Sequence, residues 1–278
     1  MLKRVLGMSE RLACTAVGLP RSTYRRTKVA DTPQDPDKEL RDWLRTYSVK
    51  NPCHGFRRAW AALRYDEGRQ INKKKVHRLW AEEGLQRRVR SARKRAGESS
   101  APPAVEADAP KVVWSIDFQF DSTIDGKAIK IASGVDAHTK QSVINIVERS
   151  IDAPRLVREL ERAFAAAGGP PQVLRMDNGP EFISEALRAF CKGRVGLDYI
   201  EPGTPWNNGH AESFNSRMRR ELLNRNHWRC LLEAQVTIAD YKEDHNTRHR
   251  HSALGYLTPN EYAAQCRHTH TPVACEID

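Results

Sequence analysis

The chain has no Cys-x-x-Cys pair, no apolar run of bilayer length and no Gly-x-x-x-x-Gly-Lys-Ser/Thr loop. Each absence removes a class of protein. Six cysteines scattered at positions 14, 53, 191, 230, 266 and 275 make neither a disulfide framework nor a zinc ribbon, and reduced thiols in a cytoplasm fit them best. The tail "CRHTHTPVAC" carries histidines, but its spacing matches no usual zinc pattern. Glu10 and Arg11 interrupt the opening apolar residues, which argues against a signal peptide. A bilayer span needs ~20 apolar residues in a row, so no membrane role is expected. Without a phosphate-cradling loop, ATP-driven chemistry loses its commonest signature. Acids are also short: 35 Asp and Glu face 46 Lys and Arg, a net charge of +11. Such an excess suits a polyanionic partner, nucleic acid before others.

The composition shifts once, at "AGESSAPPAVEADAP", residues 96–110, which is rich in Ala, Pro and small polar residues and has no periodicity. It reads as a linker between a helical, basic region (1–95) and a mixed region (111–265), with a short tail at 266–278. In the first region "MSERLACTAVGLPRSTYRR" has the shape of a helix-turn-helix, with Ser9 as N-cap and Gly18 at the turn. Further on, Asn72 caps a helix with Val76, Leu79 and Trp80 at core spacing and Lys73, Lys74 and Lys75 at its start. Lysines there oppose the helix dipole, so phosphate contact explains them better than helix stability does. Arg87 and Arg88 open a basic run that carries the same surface into the linker.

Beyond the linker the hydrophobic period becomes two. Trp114, Ile116, Phe118 and Phe120 fall on one face of a strand, and Ser115, Asp117, Gln119 and Asp121 on the other. Asp125-Gly126 signals a tight hairpin, and two more strands follow. The order β-β-β-α-β-α-β-α predicts a mixed sheet with helices packed on it. Three acids stand at notable places: Asp117 mid-strand, Asp177 where the fourth strand ends, and Glu212 in the first turn of the helix after the fifth. Taken singly, each has a plain reading as a solvated strand residue, a turn residue or a complement to a helix dipole. Three carboxylates brought together would repel one another, so such a cluster makes sense chiefly when cations fill it.

Asp117, Asp177 and Glu212, the last two 35 positions apart, resemble the Asp-Asp-Glu triad of integrase-core transposases and retroviral integrases. The words around them, "VWSIDF", "DNGPEF", "PGTPWNNGHAESFN" and "HSALGYLTPNEY", are similar to those of bacterial insertion-sequence transposases encoded in two overlapping frames. "HGFRRAWAALRYDEGRQINKKKVHRLWAEEGLQ" resembles the helical domain that precedes the core in that group. The resemblance implies an α/β, ribonuclease H-like fold and cleavage and strand transfer of DNA at the ends of an insertion sequence. It implies Asp117, Asp177 and Glu212 as ligands of Mg²⁺ or Mn²⁺, two ions in number. Its partners would be the terminal inverted repeats and target DNA, engaged as a homo-oligomer in the bacterial cytoplasm, with the nucleoid, and as a fusion with the upstream-frame product. Arg219, seven residues past Glu212 and about 20° from the same helix face, matches the family's basic residue for terminal DNA. The chain departs from the family at His249 and Arg250, where Arg and Pro are usual. Two other functions remain open: a regulator derived from such a transposase that binds DNA through the basic helices alone, and a nuclease of the same fold that cuts without joining.

Overall fold

Residues 7–30, 35–86, 105–200 and 208–266 are described by the computed structural model, which divides into two compact units, Met1–Val89 and Arg90–Asp278. In the first unit, α1 (Glu10–Ala16) starts at Ser9, whose hydroxyl accepts from the Leu12 amide. Gly18, with φ +63°, turns the chain toward α2 (Arg21–Ala30). Three more helices, α3 (Lys38–Lys50), α4 (Phe56–Ala61) and α5 (Lys73–Glu82), share one core of Leu40, Leu44, Ala59, Leu63, Val76, Leu79 and Trp80. α4 runs on into a π turn, Ala62–Asp66. Arg41 and Arg45 on α3 both pair with Glu83 just past α5, which ties the C-terminal end of α5 to α3.

The second unit is built on five strands: β1 (Val113–Ser122), β2 (Ala128–Asp136), β3 (Ser142–Glu148), β4 (Val173–Met176) and β5 (Gly196–Tyr199). Their order across the sheet is β3-β2-β1-β4-β5, antiparallel among the first three and parallel from β1 onward. The hairpin between β1 and β2 turns at Gly126, φ +78°, as Asp125-Gly126 foretells. The parallel pairings need crossovers, supplied by α6 (Ala153–Ala166) before β4 and α7 (Glu185–Cys191) before β5. After β5 come α8 (Gly209–Glu221), α9 (Leu231–Thr247) and α10 (Pro259–Gln265). Three antiparallel strands followed by two parallel ones, with helices on both sides, make a ribonuclease H-like α/β core.

Both sheet faces are covered. Trp114, Ile116, Ile144, Ile146 and Leu174 pack with Leu156, Leu160 and Phe164 of α6 and Leu187 of α7. On the opposite face, Ile129, Ile131, Val135 and Val147 pack with Ala211, Phe214 and Met218 of α8 and Ala234 and Ile238 of α9. The alternation in β1 is therefore not a contrast of core and solvent. Ser115 is fully buried, and Gln119 is 8% exposed because α8 lies over it, whereas Phe120, on the apolar face, is 59% exposed. Residues 105–109, in the stretch read as linker, are held to the sheet: Val105, Ala107 and Ala109 pack against Val112, Val113 and Ala137, and Arg175 donates to the Val105 carbonyl.

Candidate active site

β1 and β4 fix the first two acids. Val113 pairs with Val173, Trp114 with Leu174 and Ser115 with Arg175. Two residues past the last of these pairs, the same register reaches Asp117 on β1 and Asp177 just beyond the end of β4. Asp117 stays in the ladder opposite Ser133 of β2. At Asp177 the chain leaves the sheet through a tight turn in which its Oδ1 accepts from the Gly179 amide at 3.1 Å. That turn is pinned from below. Phe182 is fully buried, stacks on Phe118 with ring centroids 4.5 Å apart, and its carbonyl accepts from the Tyr199 hydroxyl.

α8 brings the rest, because it runs along β1 in the same sense and is bonded to it at successive points. Asn208, at the start of α8, donates to the Ile116 carbonyl at 3.2 Å. About two turns in, Asn215 donates to Asp117 Oδ2 at 3.0 Å and accepts from Gln119 Nε2 at 3.1 Å. Farther on, the Arg219 guanidinium donates to the Phe120 carbonyl. Between the strand and the helix opens a cleft of about 300 Å³, lined by Asp117, Phe118, Gln119, Glu212, Asn215, Ser216 and Arg219. Glu212 is exposed at its mouth. Ala211, Phe214 and Met218 face the sheet, as the helical spacing implies, and Leu222 only partly.

The electrostatics match this crowding. The Asp117 carboxyl is pushed up to about 6, chiefly by burial and further by the negative charges of Asp177 and Glu212. Hydrogen bonds from Asn215 and from the Phe118 amide work in the other direction. Asp117 is a partly buried carboxylate that feels the charges of two more acids, and carboxylate oxygens are the hard donors that Mg²⁺ takes. The donor chemistry therefore fits a divalent cation.

Of the basic residues singled out in the sequence, Arg219 lies in the cleft and Lys73, Lys74 and Lys75 open α5. The three lysines differ. Lys74 is exposed and its amide is capped by Asn72, Lys73 sits 4.9 Å over the Trp60 ring, and Lys75 pairs with Asp37 at 2.5 Å. Lys75 thus has a structural partner that its sequence neighbours do not announce. Arg87 and Arg88 lie outside the described residues. Sequence reasoning missed Asn208, Gln119 and Asn215. The last two had a signal in their spacing, since Gln119 follows Asp117 by two in a strand and Asn215 follows Glu212 by three in a helix.

Residues 107–205 and 193–259 match the integrase core domain in two overlapping parts, and residues 35–95 match an HTH-like domain. The "Insertion element IS407 uncharacterized 31.7 kDa protein" of Burkholderia multivorans is 38% identical across 96% of this chain and 95% of its own length. "Transposase InsD for insertion element IS2A/D/F/H/I/K" of Escherichia coli is 27% identical across 77% of this chain and 74% of its own. Among solved structures, the simian T-cell lymphotropic virus intasome in complex with PP2A regulatory subunit B56 gamma contains a chain of similar fold, with TM-score 0.51, 14% identity and 78% of each chain covered. Sheet order and matched domains together define an integrase-core protein. The chain belongs to the insertion-element transposase family.

Proposed function

We propose that this chain cleaves DNA at the ends of an insertion sequence and joins the freed ends to target DNA. The observation that carries the proposal is the placement of Asp117, Glu212 and Arg219 in one cleft, with Asp177 at the level of Asp117 and both other acids raising its carboxyl. Asp117, Asp177 and Glu212 would hold Mg²⁺ or Mn²⁺, two ions in this reading. Bound there, the ions supply the charge that stabilises the attacking and leaving oxygens of an in-line phosphoryl displacement. Arg219 sits farther along the same cleft, where its cation is repelled by the metals but attracts a phosphate beside the scissile bond. Joining exchanges one phosphodiester for another: a 3′-hydroxyl oxygen bonds to phosphorus, the bond to the outgoing 3′-oxygen breaks, and the proton ends on that oxygen. No nucleoside triphosphate is consumed.

The helical unit supports DNA binding through its HTH-like match and its basic residues Lys73, Lys74, Arg87 and Arg88. No helix among the described residues is long and apolar enough to cross a membrane. The reading extends to a homo-oligomer acting on terminal repeats and target DNA in the bacterial cytoplasm, and to a fusion with the product of an upstream overlapping frame. It is tested with purified protein, a duplex carrying the inverted repeat that flanks the gene, and a target plasmid. Cleaved and joined products are expected with Mg²⁺ or Mn²⁺ and none with EDTA. Cleavage without joined product would make the chain a nuclease, and binding without either would make it a regulator.

A further inference from the structure

We infer that Gln119 and Asn215 form a positioning pair that holds the Asp117 carboxylate in a single orientation, with one lone pair of each oxygen left for a cation. The inference rests on the functional reading above and deepens it. Asn215 is 7% and Gln119 8% exposed, in the contact between α8 and β1 where Ala211, Phe214 and Met218 otherwise supply apolar surface. Amides in such a place cost stability unless their hydrogens are used.

Here they are used in a way that admits one arrangement. Gln119 Nε2 has two hydrogens and two acceptors, Asn215 Oδ1 at 3.1 Å and Met218 Sδ at 3.1 Å. With its oxygen engaged by Gln119, the Asn215 amide must turn its Nδ2 toward Asp117, and it does so at 3.0 Å from Oδ2. Rotating that amide by half a turn would set oxygen against carboxylate and NH₂ against NH₂, two repulsions in place of two bonds. Asp117 Oδ1 meanwhile accepts from the Phe118 amide at 2.9 Å. Each carboxylate oxygen is therefore held by one N–H and keeps acceptor capacity, since an ionised carboxylate offers about four lone-pair sites. Asn215 acts through Asp117, to which it donates, and Gln119 acts through Asn215. Hydrogen bonds behind metal ligands typically change metal affinity by 10–100-fold when lost.

The full chain is titrated with Mn²⁺ alone by calorimetry, and its melting is followed in EDTA. Asn215→Leu keeps a side chain of similar bulk under α8 but cannot donate, and Gln119→Met keeps the packing but leaves the Asn215 amide unlocked. Expected are a loss of Mn²⁺ affinity of at least 10-fold for Asn215→Leu, a smaller loss for Gln119→Met, and a double variant no worse than Asn215→Leu alone. The double variant discriminates because residues acting in series do not add. Wild-type affinity in Asn215→Leu or in Gln119→Met, each folded by its melting in EDTA, overturns the inference; so do additive losses in the double variant. If Asn215→Leu does not fold, Gln119→Met decides by the same criterion. A wild-type chain that joins no DNA in Mn²⁺ overturns the functional reading, whereas joining by wild type with unchanged affinity in the variants overturns this inference alone.

Discussion

Asp117 on β1 and Asp177 just past the end of β4 each lie two residues beyond the paired Ser115 and Arg175, close enough for the charge of Asp177 to act on Asp117. That closeness has a measurable consequence in the absence of metal. Burial first, then the charges of Asp177 and Glu212, raise the Asp117 carboxyl to about 6. An unfolded aspartate titrates near ~3.9, so the folded chain holds this proton more tightly than the unfolded chain does. The stability so gained is fully present below about 4 and is lost as pH rises through about 6. In EDTA, Asp117→Asn should therefore melt higher than wild type at pH 7, by a few degrees at ~2–4 °C per kcal/mol. The difference should vanish near pH 4. A gap independent of pH would show that Asp117 does not titrate in that window.

Removing each acid separates chemistry from binding. Asp117→Asn, Asp177→Asn and Glu212→Gln should each abolish joining, a drop beyond ~10³-fold, because a cation held by fewer carboxylates no longer neutralises both reacting oxygens. Affinity for the terminal duplex should be unchanged or higher, since each variant removes a negative charge from a surface that meets phosphate. Gel shift and joining assays on the same preparation check both. Substantial joining by one of the three would strike that residue from the site.

What the sequence made legible followed from periodicity and punctuation. The strand alternation, the Asp125-Gly126 turn and the Asn72 cap of α5 all emerge in the structure. Helix α3 repeats Leu40, Leu44 and Tyr47 at helical spacing, but its charged face holds no motif that sets it apart in the sequence. The polar alternation in β1 suggested a solvent face, yet the same period arises when a strand meets a polar helix face, as Gln119 meets Asn215. Periodicity reports that two faces differ without saying what covers them. The role of Asn215 depends on the angle at which α8 crosses β1, and a tertiary crossing leaves no local pattern in either segment.

The lysines of α5 should divide by their partners. Lys74 is exposed, while Lys75 pairs with Asp37, itself 8% exposed. Each phosphate neutralised contributes about −0.9 to the slope of log affinity against log salt. Lys74→Ala should flatten that slope by ~0.9 at unchanged melting temperature, and replacing Lys73, Lys74 and Lys75 together by at most ~2.7. Lys75→Ala alone should also lower the melting temperature, because it strips a partner from a buried carboxylate. Salt titrations of duplex binding by the full chain measure the slopes, and an unchanged slope in the triple variant would leave these lysines as a solvated face.

Arg219 and Arg217 are two residues apart on α8 and should behave oppositely. Arg219 lines the cleft with Asp117 and Glu212, its guanidinium donating to the Phe120 carbonyl at the end of β1. Arg217 points to another side, where its Nη1 lies 3.2 Å from the His251 ring. Arg219→Ala should lower joining by ~10-fold or more, as loss of a charge-assisted phosphate contact does, and leave Mn²⁺ affinity near wild type because a cation is no ligand for a cation. Arg219→Lys should recover part of the activity, since a point charge still meets a phosphate without the bidentate fork. Arg217→Ala should instead act on folding, lowering the melting temperature while the activity per folded molecule stays within a few-fold of wild type. Glu212→Gln supplies the contrast, with Mn²⁺ affinity down and DNA affinity not reduced. Should Arg217→Ala impair joining as much as Arg219→Ala at equal folded concentration, the substrate phosphate does not lie along the Glu212–Arg219 face, and the path of DNA over α8 must be drawn on its other side.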